Sequence, residues 1–471
     1  MRATIHTDQK EDDITQWVRA VTLTRSILEP YESARVDLAI PYGIDVLPKV
    51  PETGAVDIDS WVVIYHREED DDRERAIFIG CLSSVTTGYY ASADAGFEGG
   101  IRAREFSLSC QSWLKPMRMG EIYLSGKSTN LAGHILDIDQ FGERFRKLSS
   151  LPFQTKNVGE VLKPFWVELS QSYRLPDTLG GRSLADVVGI SYDEESALKH
   201  TPSRIEPHKG VFGLALNATS GALTSGGVTS WGILRSIFGA EPNMVELFTS
   251  LEPTNDEEGT LERRLGVRPV LIYRIKPFIF GEYSQERSDS SLRRIDNTEG
   301  ASRVAFVFSA NDVISVDLSI SDSDRINGVY LHTPLNPSRS VELFGLAGEP
   351  VFNEDDIDRH GLRLFKGQWP FFPQGKKREA TVEGYREEIQ ELIDIASAIT
   401  EDDHRFLNGT IQMRGRPSLK AGVWVKIDLS AIKSRPLVVY VESVTTSLSV
   451  QEDGVRMRRS TLEFTRGFYH D

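Results

Sequence analysis

Two short stretches carry residues whose type and spacing approach those of a chemical site. Gly367 and Gly375-Lys376 resemble the two ends of a phosphate-binding loop. The two glycines are eight positions apart, however, where such a loop needs about five. Lys377 then stands where a serine or threonine should bind magnesium. These departures argue against nucleotide binding.

The second stretch resembles a calcium-binding loop. Asp322 and Asp324 are followed by Gly328, but Ile326 occupies the third ligand position and the glycine comes one residue late. The sequence instead predicts a turn here, joining a strand at 316–318 to a strand at 329–331.

Other catalytic motifs are missing from the sequence. It contains no Gly-x-Ser-x-Gly elbow and no His-Glu-x-x-His zinc pair. The nine histidines are scattered, and no two are spaced as paired ligands: His6, His66, His134, His200, His208, His332, His360, His404 and His470. A glycosidase carboxylate pair is defined by distance in space, and nothing among the 69 acids points to one. We therefore predict no enzymatic activity, no catalytic residue, no metal site and no cofactor.

The two cysteines do not suggest a chemical role. Two cysteines alone cannot form a disulfide framework or a four-ligand metal site. Cys110 follows Phe106 and Leu108 on the same face of an alternating strand. Both Cys81 and Cys110 are therefore predicted to be buried free thiols.

Composition limits the class of protein. The 471 residues suffice for about three domains, and 39% hydrophobic with 26% charged residues is typical of a globular protein. No signal peptide or transmembrane segment is predicted, which favours folding in a cytoplasm. A net charge of −15 argues against gripping nucleic acid by its phosphates. An acidic channel wall, in contrast, would let nucleic acid slide past.

The elements that would position any site follow a pattern that occurs twice. Each copy has an apolar strand with a tryptophan, a longer strand containing Ser-Val-Thr-Thr, a Gly-aliphatic-Arg-x-Arg start and an alternating closing strand. The first copy comprises Ser60–Val63, Ile77–Thr87, Gly100–Arg104 and Ser107–Cys110, and the second comprises Gly422–Val425, Leu437–Thr446, Gly454–Arg458 and Thr461–Phe464. Four matches in the same order favour duplication over chance likeness between β-strands.

The similarity extends upstream in both copies. Residues 21–24, followed by 36–38, match residues 316–319, followed by 329–331. Each copy is thus predicted to contain an opening hairpin, a middle pair of strands and a closing strand. The predicted fold class is mainly β with α insertions (α+β), containing two related β-barrels from an internal duplication and a helical middle domain.

Domain limits follow from changes in periodicity. The first barrel is predicted at 14–120, a helical or mixed connecting domain at 121–300, and the second barrel at 301–470 with an insertion at about 346–404. Within these, apolar spacings of three and four predict helices over 130–148, 158–173 and 382–399. Residues 183–227 match no recognisable pattern, and their role is left open.

An acidic run lies between two apolar strands of the first copy. Residues 68–74 hold six acids and one arginine. Crowded like charges repel unless they are exposed, so a solvated hairpin tip is favoured over a cation site.

Several stretches together resemble a known family. They are Trp231–Leu234, Glu246–Phe248, Pro269–Phe278, Asp317–Asn327, Leu407–Ile411, Gly415–Gly422 and Thr465–Phe468. On these residues the chain is similar to the baseplate hub proteins of contractile-tailed phages, the late-control protein D type, which are related to the hub part of type VI secretion spike proteins. The resemblance covers most of 230–468, and through the repeat it reaches back to residue 14.

The resemblance implies a structural role. Hubs of this kind look like two tail-tube-type β-barrels per chain, and three chains give six barrels that join a sixfold tube to a threefold spike. The implied partners are a homotrimer, the central spike protein, the tail tube protein, the tape-measure protein and the baseplate wedge proteins. Genomic DNA would pass through the lumen without specific binding, and no membrane insertion is implied. The implied location is the tail baseplate of the virion, after assembly in the host bacterial cytoplasm.

Two other classes stay open at this point. A carbohydrate-binding or adhesin-like β-protein needs an exposed aromatic platform, for which Trp369, Phe371 and Phe372 form the one cluster. A peptidoglycan hydrolase needs a convergent acid pair or triad, or a separate lysozyme or peptidase domain of the kind that some family members carry. Because this chain ends at the closing strand of the second copy, we expect no such domain.

Overall fold

A computed structural model of the protein describes most of the predicted strands. The described residues are 1–28, 32–41, 47, 57–68, 73–89, 103–119, 121–122, 162–163, 166–167, 169–192, 228–238, 245–254, 260–275, 304–323, 325–332, 349–368, 390, 393–394, 396–397, 400, 403–429, 435–450 and 456–469.

Strands dominate this part of the chain, so the protein is mainly β, as predicted. In chain order they are β1 Arg2–His6, β2 Glu11–Asp13, β3 Val18–Ser26, β4 Ser33–Pro41, β5 Trp61–His66, β6 Arg75–Tyr89, β7 Ala103–Ser112, β8 Glu121–Ile122, β9 Gly189–Tyr192, β10 Val228–Thr229, β11 Val245–Pro253, β12 Val267–Ile275, β13 Val304–Phe308, β14 Val313–Ser319, β15 Gly328–His332, β16 Val351–Phe352, β17 Leu364–Gln368, β18 Leu407–Arg414, β19 Val423–Ile427, β20 Leu437–Val441, β21 Ser443–Val450 and β22 Arg456–Tyr469.

The described helices are short. The α-helices are Lys115–Met119, Leu184–Val187, Ser230–Phe238, Thr260–Leu265 and Glu354–His360, and the 3-10 helices are Thr15–Trp17, Asp177–Leu179, Ala310–Asp312 and Asp403–Arg405. Helical residues also occur within 162–170 and 390–400, inside two of the predicted helices. The predicted helix over 130–148 lies outside the described residues. Among the described helices, none has the length and apolar content needed to cross a membrane.

Fourteen strands form one continuous sheet. Its N-terminal half-sheet has the strand order β3–β4–β7–β6–β5–β1–β2. In its C-terminal half-sheet β14 pairs with β18 and β18 with β22; β22 then pairs both with β21 and with β20, which continues to β19 and β13. In both half-sheets a 3-10 helix leads directly into the opening strand, β3 or β14. The opening strand pairs with the next strand of the half-sheet, and that strand pairs with the closing strand, β7 or β22. The strands of the two half-sheets therefore pair in the same order.

The registers of the two half-sheets agree as well. Opposed pairs in the N-terminal half-sheet are Val21 and Val36, Trp61 and Cys81, and Val85 and Leu108, while the corresponding pairs in the C-terminal half-sheet are Val316 and Ile411, Trp424 and Tyr440, and Val444 and Leu462. The first ladder of each half-sheet is also irregular at the same place, between Val18 and Ala20 and between Val313 and Ser315.

Neither half-sheet closes into a barrel among the described strands, so the prediction of two separate barrels is wrong in that respect. The physical reason is the use made of β3. Its second edge pairs with β21 of the C-terminal half-sheet, from Ala20 opposite Ser449 to Ser26 opposite Ser443. Because each strand has only two edges, β3 joins the two half-sheets instead of closing its own.

The predicted hairpin between 316–318 and 329–331 is also wrong. β14 pairs instead with β18, whereas β15 joins a separate sheet with β16 and β17. The segment between these two paired strands therefore runs from 320 to 406. The insertion predicted at about 346–404 lies within it and stays a prediction. The opening hairpin predicted for the first copy is confirmed, since β3 pairs with β4.

Side-chain alternation places the cores. Each half-sheet curls around its own apolar cluster, with Val21, Val36 and Leu108 in one and Ile411, Val425 and Leu462 in the other. A third cluster lies behind β5 and β20, whose residues are buried on both faces. This explains why these two strands have continuous apolar sequences, whereas strands with one wet face alternate.

The third cluster packs the middle of the chain against both half-sheets. Trp61 and Trp424, which have equivalent places in the two registers, both belong to it. Trp113 and Trp166 meet there edge to face, with ring centroids 5.9 Å apart. The described part of 121–300 also contains the sheet β11–β12–β9, so this segment is mixed and not purely helical.

Candidate functional site

An extended polar surface covers one face of an eight-strand ladder. These strands run β6–β7–β4–β3–β21–β22–β18–β14, four from each half-sheet. Directly opposed residues point to the same face, and on the face away from the two curled cores many of these residues are serine or threonine. We call this surface the hydroxyl face: Ser84, Thr86, Ser107, Ser109, Ser33, Thr22, Thr24, Ser443, Thr445, Ser447, Thr461, Thr410, Ser315 and Ser319.

The hydroxyl face is half-buried to exposed along its length and carries little net charge. The charged residues in ladder positions on this face are Arg35, Asp37, Glu105, Asp317, Arg414, Arg459 and Glu463. Three arginines against four carboxylates leave a formal balance of −1, and Arg35 is paired with Asp37 at 3.0 Å. Such a surface offers water-binding hydroxyls without the clustered cations that grip phosphates.

Where the half-sheets meet, the ladder is supported by a buried arginine. Thr24 and Thr445 lie opposite each other, with hydroxyl oxygens 3.4 Å apart. On the core side, Arg25 is 7% exposed and donates to the carbonyls of Pro417, Leu419 and Ile77 at 2.8, 2.9 and 2.5 Å. One side chain on β3 therefore binds the backbone of both half-sheets.

Charge at this junction is balanced inside the protein. Glu32 lies 3.5 Å from Arg25 and is itself buried. Burial raises the pKa of the Glu32 carboxyl, while the charges of Arg25 and Lys420 oppose that rise. Burial likewise lowers the pKa of Lys420. These groups therefore depend on one another for their charged states.

A second polar cluster ties the three-stranded sheet to β20. Glu246 on β11 accepts from Arg274 on β12 at 3.0 Å and from the Tyr440 hydroxyl at 2.7 and 2.8 Å. Arg274 also donates to the Gly422 carbonyl at 2.6 Å. Burial, with the neighbouring Glu246, raises the pKa of Tyr440 well above its usual value, so the phenol stays protonated as a donor.

These residues belong to the stretches that carry the family resemblance, but their meeting with Tyr440 was not predicted. Glu246 and Arg274 lie directly opposite each other in the β11–β12 ladder. This pair could have been predicted, because the charged residues of β11 are acidic and those of β12 are basic, and opposite charges favour opposed positions. Tyr440 is far away in sequence and gave no such signal. The cluster is fully engaged in internal hydrogen bonds, which fits a structural tie between elements.

Two strand edges in the eight-strand ladder are left open. Among the described strands, β14 pairs only with β18, and residues 83–89 of β6 pair only with β7. Large apolar side chains lie exposed beside the β14 edge: Ile314 is 50% exposed and Ile320 is 66% exposed. Open edges of this kind are templates for pairing with another chain.

The motifs that approached chemical sites have structural roles where they are described. Gly367 lies on β17 opposite Leu331, and 375–376 are outside the described residues, as are Asp324 and the aromatic cluster Trp369, Phe371 and Phe372. Asp322 binds Arg325 and Arg363, so its carboxylate is occupied by cations of the chain. In the described part of the chain, no group of three or more His, Cys, Asp or Glu is placed to hold a metal ion.

The acidic run is described only at its two ends. Glu68 accepts from the backbone nitrogen of Ser418 at 3.2 Å, and Glu74 pairs with Arg2 at 2.8 Å. Residues 69–72 are outside the described residues, so both the solvated tip and the cation site stay predictions.

Both cysteines are buried free thiols, as predicted. Cys81 lies opposite Gln111 and belongs to the third cluster, whereas Cys110 lies opposite Leu82 inside the N-terminal core. They therefore point to opposite faces of the sheet. Burial raises the pKa of the Cys81 thiol to about 12 and raises that of Cys110 as well, which keeps both unreactive.

Comparison with known proteins finds similar solved structures. No family model matches the chain, and no curated protein matches it. The 43 kDa tail protein of prophage MuSo2 from Shewanella oneidensis is similar over 99% of this chain and 98% of its own, at 10% identity and a TM-score of 0.45. The tail protein from Neisseria meningitidis MC58 is similar over 100% of this chain and 96% of its own, at 10% identity and a TM-score of 0.44.

A third solved structure comes from a secretion system. It is an E. coli component of the type VI secretion system, similar over 96% of this chain and 76% of its own, at 8% identity and a TM-score of 0.39. Phage tail proteins and type VI secretion components are the two kinds of protein to which the sequence resemblance pointed.

Proposed function

We propose that the protein is a structural baseplate hub of a phage tail. In this proposal three copies form a pseudo-sixfold ring that joins the sixfold tail tube to the threefold central spike and surrounds the DNA channel. The observation that carries the proposal is the β21–β3 junction, which joins two half-sheets of like pairing order and leaves one matching edge at each end of the ladder.

The first step is an internal duplication. We infer that the two half-sheets are copies of one ancestral unit that resembles a tail-tube domain. Three features support this: the shared pairing order, the shared registers and the ladder irregularity that occurs at the same place in both. In each copy the Ser-Val-Thr-Thr stretch pairs with the closing strand in the same register, with Val85 opposite Leu108 in one copy and Val444 opposite Leu462 in the other.

The second step is closure of the ring. A head-to-tail contact between copies repeats until a rotation closes it, and otherwise it produces an open filament. Each chain makes one such contact internally and leaves two edges for its neighbours. Three chains give six half-sheets, the number that the family resemblance implies for a ring on a sixfold tube.

The third step concerns the channel. We propose that the hydroxyl face lines the lumen, since it is the face of the eight-strand ladder that does not pack on either core. With a formal balance near zero and small hydroxyl side chains, it would hydrate passing DNA without holding its phosphates. A wall of this kind needs no specific contact with DNA.

The remaining parts of the proposal follow from the hub role. The chain would contact the central spike protein, the tail tube protein, the tape-measure protein and the baseplate wedge proteins, and it would reside in the virion tail after assembly in the host cytoplasm. We propose that it has no enzymatic activity. Clearing of purified peptidoglycan by the protein, abolished by a single carboxylate substitution, would contradict that part.

Native mass spectrometry of the chain co-expressed with its spike partner tests the ring. We expect three copies of the chain bound to a spike trimer. A stable 1:1 monomeric pair would contradict the proposal, and so would closure at two or four chains. The spike must be present, because it supplies the threefold template that the hub is proposed to match.

A further inference from the structure

We propose that residues 316–321, the end of β14 and the two residues after it, pair antiparallel with residues 84–89 of β6 in the next copy. The register sets Thr86 opposite Ser319. The partner is thus a second copy of this chain. The inference rests on the proposed ring and specifies the residues that close it.

The template is the junction inside the chain. There β21 pairs antiparallel with β3, with Thr445 opposite Thr24. In the C-terminal half-sheet, β21 has the place that residues 84–89 of β6 have in the N-terminal half-sheet, since each pairs with the closing strand. β3 and β14 have equivalent places as the opening strands. The strands that pair inside the chain are therefore counterparts of the two strands left open.

The registers within each half-sheet show which residues of the open edges correspond to the residues paired at the internal junction. Val85 and Val444 lie opposite Leu108 and Leu462, which makes Thr86 the counterpart of Thr445. Val21 and Val316 lie opposite Val36 and Ile411, which makes Ser319 the counterpart of Thr24. Substituting these counterparts into the pair Thr445 and Thr24 gives Thr86 opposite Ser319.

The chemistry of the two edges fits this register. One residue further along, Ile320 comes opposite Val85, both on the core side of the ladder. Ile320 is 66% exposed in the single chain and would be covered by an apolar neighbour. Its counterpart at the internal junction is Arg25, which needs carbonyl partners and lies opposite Val444. On the other side, Thr86 and Ser319 extend the hydroxyl face from one copy to the next.

A second copy is favoured over an unrelated partner because each open edge matches the other. The β14 edge resembles the paired edge of β3, and the β6 edge resembles the paired edge of β21. One chain therefore carries both halves of the contact, as a head-to-tail ring requires.

Paired cysteines test the register. The Thr86→Cys, Ser319→Cys double variant should form disulfides between copies, seen as covalent dimers and trimers on non-reducing gels and lost with dithiothreitol. Both positions lie on the polar face, so the substitutions spare the core. The native Cys81 and Cys110 are buried and do not compete.

Two matched variants complete the design. Thr24→Cys with Thr445→Cys is the internal control and should form a disulfide within one chain, which shows that the equivalent geometry supports the bond. The second variant combines Thr86→Cys with Ser315→Cys and keeps Ser319. Its second thiol lies four residues, or about 13 Å, along β14 from position 319, which is too far for a disulfide with position 86. It should therefore yield about ten-fold less cross-linked product, in line with the distance limit on disulfides.

The outcomes separate the register from the ring. Native mass spectrometry on the same samples reports assembly. If trimers form but Thr86→Cys, Ser319→Cys gives no more cross-link than the Ser315→Cys variant, the register is wrong and the ring stands. If no trimer forms with the spike partner present, the ring and the register are both wrong.

Discussion

Arg25 shows how one side chain can hold two half-sheets together. It lies on the core side of β3, where the alternation of the strand would place an apolar residue, and it binds three backbone carbonyls in addition to Glu32. A buried cation of this kind is costly unless every donor is used. Arg25 therefore fixes the position of one half-sheet relative to the other, because the carbonyls it binds belong to both half-sheets.

We expect Arg25→Ala to destabilise the protein by about 3–5 kcal/mol, because it removes the ion-pair partner of the buried Glu32 and leaves three carbonyls without this donor. Chemical denaturation followed by tryptophan fluorescence measures the shift. Arg35→Ala is the matched control, since Arg35 pairs only at the surface with Asp37, for a loss of at most about 1 kcal/mol. Equal shifts for the two variants would contradict the role given to Arg25.

His6 supplies a pH dependence. It is buried at the end of β1 and hydrogen-bonded to Thr4 at 2.8 Å, and burial lowers its pKa to about 4. The folded state therefore resists protonation of His6. Neutral His6 makes its full contribution to the free energy of unfolding above pH 6.5, the unfolded pKa, and this contribution is lost as the pH falls towards 4.

At pH 5 the loss from His6 should amount to about 2 kcal/mol. His6→Gln retains a hydrogen-bonding group without a titrating one, so it should lose less stability than the wild type between pH 7.5 and pH 5. Urea midpoints at the two pH values measure this. The same pH slope in both proteins would show that His6 is not responsible.

At the residue scale, the sequence predicted positions on faces but not long-range partners. The buried cysteines and the matched Val85 and Val444 follow from alternation and repetition, both of which are local signals. Arg25 and Tyr440 could not be placed in that way, because their partners lie on strands hundreds of residues away. Tertiary contacts of this kind leave no trace in one strand's periodicity.

At the element scale, the error over β14 has a clear cause. The strand at 328–332 has the same alternation as β4 and is the next one in sequence, and consecutive strands usually pair. The insertion instead separates β14 from its true partner β18. The similarity of Leu407–Ile411 to a family strand was visible, but it could not show which strand lay beside it.

The β14–β18 ladder depends on a glycine. Gly409 has φ +154°, and a Cβ there would lie 2.0 Å from the Asp317 carbonyl oxygen. Its counterpart in the N-terminal half-sheet is Ala34, opposite Leu23. The closer approach of the two backbones is therefore specific to the C-terminal half-sheet.

We expect Gly409→Ala to separate β14 from β18 locally and to destabilise the protein by about 1–3 kcal/mol, since backbone atoms cannot move aside as a side chain can. Hydrogen exchange should show faster exchange of the β14 amides. Gly361→Ala is the control: it also has positive φ, but its Cβ would meet nothing within 4 Å. Unchanged β14 protection in Gly409→Ala would contradict the prediction.

At the scale of the whole molecule, charge is distributed unevenly. The chain carries −15, whereas the hydroxyl face has a formal balance of −1 in its ladder positions. If this face lines the channel, as proposed, the channel wall is near-neutral and not acidic as the composition led us to expect. Composition could not reveal this, because it sums over surfaces that the fold separates.

The proposed contact between copies leads to a prediction for a substitution of Ile320. In the proposed register this side chain comes opposite Val85 of the next copy, on the core side of the ladder. Ile320→Lys would place an ammonium group there without a partner, which is unfavourable away from water. In the single chain the same substitution lies on an exposed position and should leave the thermal midpoint unchanged.

We therefore expect Ile320→Lys to weaken assembly by about ten-fold or more in Kd, corresponding to about 1.4 kcal/mol per ten-fold. Analytical ultracentrifugation over a concentration series, with the spike partner present, measures it. Leu28→Lys is the matched control, because Leu28 is also a large apolar residue, 61% exposed, but lies outside the β14 edge. Since both variants add the same charge, a general effect of charge would weaken assembly equally in the two. Selective weakening by Ile320→Lys would instead locate the contact between copies at the end of β14.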